Sequence, residues 1–144
     1  MLVLCHNGKL LFIILFHFKN VTFYMTTKCV WISTSLLRQT RHMFNKDTFK
    51  MMKKNAILVN SGRGGVINHD DLADALKNGV IAGAGLDTTE PPSHPLVNMP
   101  NCVVLPHMGS NVWEARNAMA SIAARSAIAG VEGGTPEGLV KSNF

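Results

Sequence analysis

The sequence is short of several features, and each shortage excludes a class of protein. It has three cysteines, Cys5, Cys29 and Cys102, without CxxC or Cys/His spacing. Because an odd, scattered set forms neither a disulfide framework nor a zinc site, we take a reducing compartment as the default. Long apolar runs are missing as well. The most apolar stretch, 10–18, has nine residues and includes His17, so we expect neither a membrane span nor a membrane partner.

Acidic residues are also few. Nine Asp and Glu against fourteen Lys and Arg give a net charge of +5, which by itself would suit an anionic partner such as nucleic acid. Five of the cationic residues, however, fall between positions 41 and 54, beside a predicted short helix: Arg41, Lys46, Lys50, Lys53 and Lys54. A solvated helix face explains this run more simply, so we expect no nucleic-acid partner.

The apolar content of 47% in 144 residues is enough for one compact core. The first thirty residues are rich in large apolar side chains but show few turn signals and no clear amphipathic period. From about residue 31 the pattern becomes regular. We therefore predict a divergent apolar segment over 1–30 and one domain over 31–144.

The regular part alternates strands and helices. The predicted elements are a helix from Asn45 to Lys54, a strand over 56–60, a helix between Asn68 and Gly79, strands over 81–86 and 102–105, and a helix over 112–130. The apolar run 56–60 is typical of a strand buried on both faces of a parallel sheet. Asn68 and Gly79 are suited to cap the two ends of one helix. This order predicts an α/β fold with a parallel sheet.

Chargeable side chains follow three of these strands directly, where the chemistry of parallel sheets gathers. Arg63 lies on a glycine-rich turn, Asp87 and Glu90 follow the next strand, and His107 follows the third. Each has an ordinary explanation by itself: a surface arginine, a solvated loop acid, a histidine satisfied by its neighbours. Their joint placement at three strand ends favours a functional site.

These side chains suit the reduction of a 2-oxo acid. The reaction needs a cation for the carboxylate and carbonyl oxygens, which Arg63 would supply, and a proton donor, which His107 would supply. Glu90 could fix the tautomer of the imidazole and favour its protonated form. No side chain donates hydride, so a nicotinamide cofactor would have to bring it.

Three segments resemble, in order, the D-2-hydroxyacid dehydrogenase family, and among its members the glyoxylate/hydroxypyruvate reductases. They are Val59–Ile67 (VNSGRGGVI), Gly85–Asp87 with Glu90 and Pro91, and Leu105–Ser110 (LPHMGS). The resemblance covers roughly residues 31 to 140. It implies a partial Rossmann-like parallel sheet, the C-terminal half of a dinucleotide-binding domain.

The resemblance also implies roles for individual residues. Arg63 would bind substrate, Glu90 and His107 would form the acid–base pair, and Asp87 would meet the nicotinamide carboxamide. The other cofactor-pocket residues that it implies are Ser35, Thr34 beside it, Asn60, Ser61, Gly62 and Gly109. The reaction would be reduction of glyoxylate or hydroxypyruvate by NADPH or NADH to glycolate or D-glycerate, in a cytoplasmic homo-oligomer.

The sequence departs from the family in one major respect. No GxGxxG occurs in the 144 residues, so the turn that holds a dinucleotide pyrophosphate is not recognisable. Leu37 also stands where the family has a threonine, and Gly62 where it has Ser or Ala. Two interpretations therefore stay open: an oxidoreductase of this type, or a catalytically inactive remnant that acts as a binding or interaction module.

Overall fold

The computed structural model describes residues 28–89, 91–137 and 139, and the backbone of 2–6 and 9–13. The chain divides into two compact units, Met1–His107 and Met108–Phe144. A six-stranded sheet belongs to the first unit and a long helix to the second. A boundary near residue 30 stays a prediction.

The sheet combines an antiparallel edge with a parallel body. Its strands are β1 (Leu2–His6), β2 (Lys9–Ile13), β3 (Cys29–Ile32), β4 (Ile57–Asn60), β5 (Gly83–Leu86) and β6 (Cys102–Val104). They lie in the order β2-β1-β3-β4-β5-β6. β1 is antiparallel to both of its neighbours, whereas β3 to β6 are parallel. The predicted parallel α/β sheet is confirmed, and the hairpin of β1 and β2 adds an edge that the sequence pattern did not predict.

Two helices of the first unit begin at the predicted caps. Asn45 precedes α1 (Lys46–Lys50) and Asn68 precedes α2 (His69–Lys77). The Asn45 amide oxygen accepts two backbone N–H groups of its helix's first turn, and that of Asn68 accepts one. Gly79, with φ of 63°, follows the end of α2 as predicted. α1 ends four residues before the predicted Lys54, because the chain turns there and buries Met52 in the core.

The core lies on one face of the sheet. Alternate residues of the parallel strands are buried there together with apolar residues of both helices: Val30, Ile32, Leu58, Ala84 and Leu86 from the strands, and Phe49, Leu72, Ala75 and Leu76 from the helices. On the other face Trp31, Ile57 and Val103 are 40%, 48% and 65% exposed. The prediction that β4 is buried on both faces is therefore wrong for the described residues, because α1 and α2 pack against the same face.

The second unit contains α3 (Trp113–Val131), none of whose side chains is buried. Beyond the helix the chain folds back on it. Arg125 Nε lies 2.8 Å from Glu137 Oε2, and Ser126 Oγ donates to the Glu137 carbonyl oxygen at 2.9 Å. The hydrogen bond from Arg125 lowers the pKa of the Glu137 carboxyl below its ordinary value. No helix in the described parts of the chain is long and apolar enough to span a membrane.

Candidate active site at the carboxyl ends of the strands

The turn that carries Arg63 is fixed by the side chain of Asn60, the last residue of β4. Asn60 is 1% exposed, and its amide makes two hydrogen bonds within the turn. Oδ1 accepts the N–H of Gly62 at 3.0 Å, and Nδ2 donates to the carbonyl oxygen of Arg63 at 3.0 Å. Arg63 leaves the turn in an extended conformation, with φ of −118° and ψ of 139°, just before a 3₁₀ helix over Gly64–Val66. The turn therefore holds the Arg63 backbone at the strand end.

Gly62 is where this turn meets the segment that follows β3. A Cβ atom at position 62 would lie 2.8 Å from the carbonyl oxygen of Thr34 and 3.3 Å from Asn60 Oδ1. Because a carbon atom is not tolerated so near a backbone oxygen, glycine lets the two segments approach each other. The glycine is thus needed for packing at this position.

The two segments enclose an open depression of about 580 Å³. Its lining residues are Ser33, Thr34, Ser35, Leu36, Gly62 and Arg63. The structure therefore brings together three residues named from the sequence, Ser35, Gly62 and Arg63, with Thr34 beside them. Ser33 and Leu36 were not named, although the polar run directly after an apolar strand was an available signal. Hydroxyl groups from one segment and a guanidinium from the other suit a polar or anionic ligand.

Ser61 is held from the side of β3. Its Oγ accepts a hydrogen bond from the indole Nε1 of Trp31 at 2.6 Å, and its backbone N–H donates to the carbonyl oxygen of Ile32 at 3.1 Å. The Ser61 side chain thus supports the turn, and the residue itself is exposed. The contribution of Trp31 was missed because a single tryptophan, thirty positions away, belongs to no motif.

Asp87 and His107 lie at the next two strand ends and are joined through their backbones. The N–H of Asp87 donates to the carbonyl oxygen of Asn60 at 3.0 Å, and the carbonyl oxygen of Asp87 accepts the N–H of His107 at 2.7 Å. His107 has φ of 55°, in the left-handed region that non-glycine residues seldom occupy. Such residues are enriched at functional sites, where the surroundings hold them in place. The residue is exposed, whereas Asp87 is 9% exposed.

Arg63 is exposed and is available to an anion. Among the described residues its guanidinium contacts the carbonyl oxygen of Gly62 at 3.4 Å and pairs with no carboxylate. Glu90, the predicted partner of His107, lies outside the described residues, and Gly109 belongs to the second unit. The described part of the chain contains no group of three or more His, Cys, Asp or Glu that could hold a metal ion.

Comparison with known proteins decides the family. Residues 17–109 match the family described as D-isomer specific 2-hydroxyacid dehydrogenase, NAD binding domain. The chain belongs to this family. The match confirms the resemblance seen in the sequence, and it begins earlier than residue 31, where that resemblance was taken to start.

Curated relatives are similar over most of this chain. A glyoxylate reductase/hydroxypyruvate reductase of Mus musculus is 47% identical over 106 residues, which cover 71% of this chain and 32% of that protein. A glyoxylate reductase of Thermofilum pendens is 44% identical over 115 residues, which cover 77% of this chain and 34% of that protein. The chain thus spans about a third of the length of the curated relatives that it matches.

Solved structures of the family share the fold. A D-isomer specific 2-hydroxyacid dehydrogenase of Lactobacillus delbrueckii ssp. bulgaricus, in an NAD complexed form, superposes with a TM-score of 0.73 at 30% identity and covers 85% of this chain and 42% of its own. An NADPH-dependent glyoxylate/hydroxypyruvate reductase of Sinorhizobium meliloti, in complex with NADP and malonate, gives a TM-score of 0.74 at 29% identity, over 86% of this chain and 42% of its own. The partial Rossmann-like fold is confirmed.

The depression fits one end of a nicotinamide dinucleotide. The hydroxyl groups of Ser33, Thr34 and Ser35 can bind a ribose, and an opening of about 580 Å³ admits a nicotinamide ring beside Arg63. The described residues show no comparable site for the pyrophosphate. The sequence has no GxGxxG, and in the described sheet the outer neighbour of β3 is the antiparallel β1, so no parallel strand with a following glycine turn lies on that side.

Proposed function

We propose that the chain carries the active-site half of an oxidoreductase that reduces glyoxylate or hydroxypyruvate to glycolate or D-glycerate with NADPH or NADH. One observation supports this most: in a chain of the 2-hydroxyacid dehydrogenase family, Arg63, Asp87 and His107 lie at consecutive strand ends that are joined by hydrogen bonds. The nicotinamide cofactor, when bound, supplies the hydride.

Side chains of this chain would bind and orient the substrate and supply the proton. The Arg63 fork binds the substrate carboxylate through two N–H groups and orients the carbonyl carbon. His107 holds a proton on its imidazole and donates it to the carbonyl oxygen as that oxygen becomes a hydroxyl. Glu90 is proposed to orient the imidazole. Ser35, Thr34 and the Gly62 turn bind the nicotinamide end, and Asp87 faces its carboxamide.

A second candidate is a catalytically inactive interaction module. The observation that favours it is the row of apolar side chains on the open face of the sheet, where Trp31, Ile57 and Val103 are substantially exposed. The same face supports the proposal of a homo-oligomer. Size-exclusion chromatography of the purified chain tests self-association, and a monodisperse monomer across the concentration range would contradict it.

The test of the enzyme proposal begins with the cofactor. The full chain is titrated with NADPH and with NADH, with tryptophan fluorescence as the signal, because Trp31 contacts the Ser61 turn directly. A Trp113→Phe background removes the second tryptophan, which lies in the other unit. Saturable binding of one cofactor is expected. Failure of both to bind at millimolar levels would leave the interaction module as the better proposal.

Turnover of hydroxypyruvate is then measured by the loss of nicotinamide absorbance. His107→Asn removes the imidazole, and because asparagine tolerates a positive φ, the backbone is preserved. The matched control is His42→Asn, since His42 is the other non-glycine residue described with a positive φ, 51°, and its side chain lies outside the depression. We expect kcat to fall about a hundredfold or more in the first variant and to stay unchanged in the second. Equal rates in the two variants would refute the role of His107.

A further inference from the structure

Asn60 has the structural features of a residue that acts through another one. It is a polar side chain, 1% exposed, among apolar neighbours, where an amide must find partners for both its ends. Its partners are the residues that follow it in the chain. Oδ1 accepts the N–H of Gly62, and Nδ2 donates to the carbonyl oxygen of Arg63, each at 3.0 Å. Both groups of the amide are therefore engaged by the turn, and neither faces the depression.

The backbone of Asn60 is hydrogen-bonded to the strand end that carries Asp87 and, through Asp87, to the one that carries His107. Its carbonyl oxygen accepts the N–H of Asp87 at 3.0 Å, and the Asp87 carbonyl accepts the N–H of His107 at 2.7 Å. The hydrogen bonds thus run from the Arg63 carbonyl through Asn60 and Asp87 to His107 without interruption. Every link except the first is between backbone groups, so among the described residues the Asn60 amide is the side chain that ties Arg63 to this series.

We infer that Asn60 is a positioning residue, which sets the place of the Arg63 guanidinium relative to His107, rather than a residue that contacts the cofactor. The inference rests on the proposed function, because the separation of the Arg63 guanidinium from His107 matters only if both side chains act on one substrate. Its physical reason is that a substrate held by Arg63 must present its carbonyl oxygen to His107, and small displacements of a bound substrate lower rates steeply. Without the amide, Gly62 and Arg63 would be joined to β4 by the chain alone.

Two variants separate the two hydrogen bonds. Asn60→Ala removes both, whereas Asn60→Asp keeps an acceptor for the Gly62 N–H and loses the donor to the Arg63 carbonyl. The matched control is Asn101→Ala: Asn101 is a partly buried asparagine whose Nδ2, like that of Asn60, donates to a backbone carbonyl, here that of Leu76 at 3.1 Å. If the Asn60 substitutions acted only by lowering the stability of the fold, Asn101→Ala should produce the same effects.

The first measurement needs no activity. Hydrogen exchange of the Gly62 amide, followed by NMR on the full chain, should accelerate about tenfold in Asn60→Ala, the effect of one lost hydrogen bond, and stay near wild type in Asn60→Asp and Asn101→Ala. An unchanged Gly62 exchange rate in Asn60→Ala would overturn the inference. Should Asn60→Ala fail to fold, broadening of the Arg63 Nε–H signal in Asn60→Asp, and not in the control, gives the same test.

The second measurement uses turnover. We expect KM for hydroxypyruvate to rise about tenfold in both Asn60 variants. NADPH affinity should stay within about twofold of wild type in Asn60→Asp, because this variant keeps the hydrogen bond to the Gly62 turn. A rise in KM of the same size in Asn101→Ala would reduce Asn60 to a structural role, and a loss of NADPH affinity with unchanged KM would show a cofactor contact instead. Absence of turnover in the wild-type chain would contradict the proposed function but not the inference about Asn60, because the hydrogen-exchange measurement does not depend on activity.

Discussion

Gly62→Ala is the substitution whose effect the structure fixes most sharply. The added Cβ would lie 2.8 Å from the carbonyl oxygen of Thr34, and 3.3 Å from Asn60 Oδ1. The nearer atom belongs to the backbone, so a side-chain rotation cannot relieve the contact. Either the segment after β3 or the turn itself must move by about half an ångström, and forced movement of packed backbone costs about 1–3 kcal/mol. The variant should therefore be less stable than the wild-type chain.

Gly85→Ala is the matched control for this substitution. Gly85 lies on the neighbouring strand β5, and a Cβ there would meet Val59 Cγ2 at 3.9 Å, an ordinary contact. We expect its unfolding free energy to stay within about 0.5 kcal/mol of wild type. Urea unfolding followed by circular dichroism gives both values, provided that the slope m is the same in all variants. Equal midpoints for the two variants would refute the steric argument at Gly62.

Two further predictions concern other positions. Gly79→Ala should lower the unfolding free energy by about 1 kcal/mol, because Gly79 has φ of 63° and an L-residue is strained there even though nothing crowds its Cβ; the urea transition measures this, and no change would contradict it. Burial raises the pKa of the Cys102 thiol to about 11, from 9.0, so the folded protein keeps the neutral form until the pH approaches that higher value. With Cys5 and Cys29 replaced by Ser, alkylation of Cys102 at about pH 8 should be about a hundredfold slower in the folded chain than in urea, and equal rates would refute the burial.

Local sequence signals determined much of the secondary structure. Asn45 and Asn68 were recognised as caps because an N-cap amide bonds to N–H groups two or three positions ahead, within the same stretch of sequence. Gly79 was recognised because helices so often end at a glycine. The placement of Arg63, Asp87 and His107 at strand ends followed from the alternation of apolar runs with helices, since parallel strands bring their carboxyl ends to one edge.

What the tertiary structure alone decided depends on distances between segments that are far apart in the chain. The apolar run of β4 is compatible with burial of one face of the sheet or of both. Because both helices pack on the same side, Ile57 is left exposed. The bond between Trp31 and Ser61 joins residues thirty positions apart. Gly62 is needed because of where Thr34 lies, and no pattern near position 62 records that. Sequence periodicity specifies which way a side chain faces along its own element, whereas contacts between elements depend on how those elements pack.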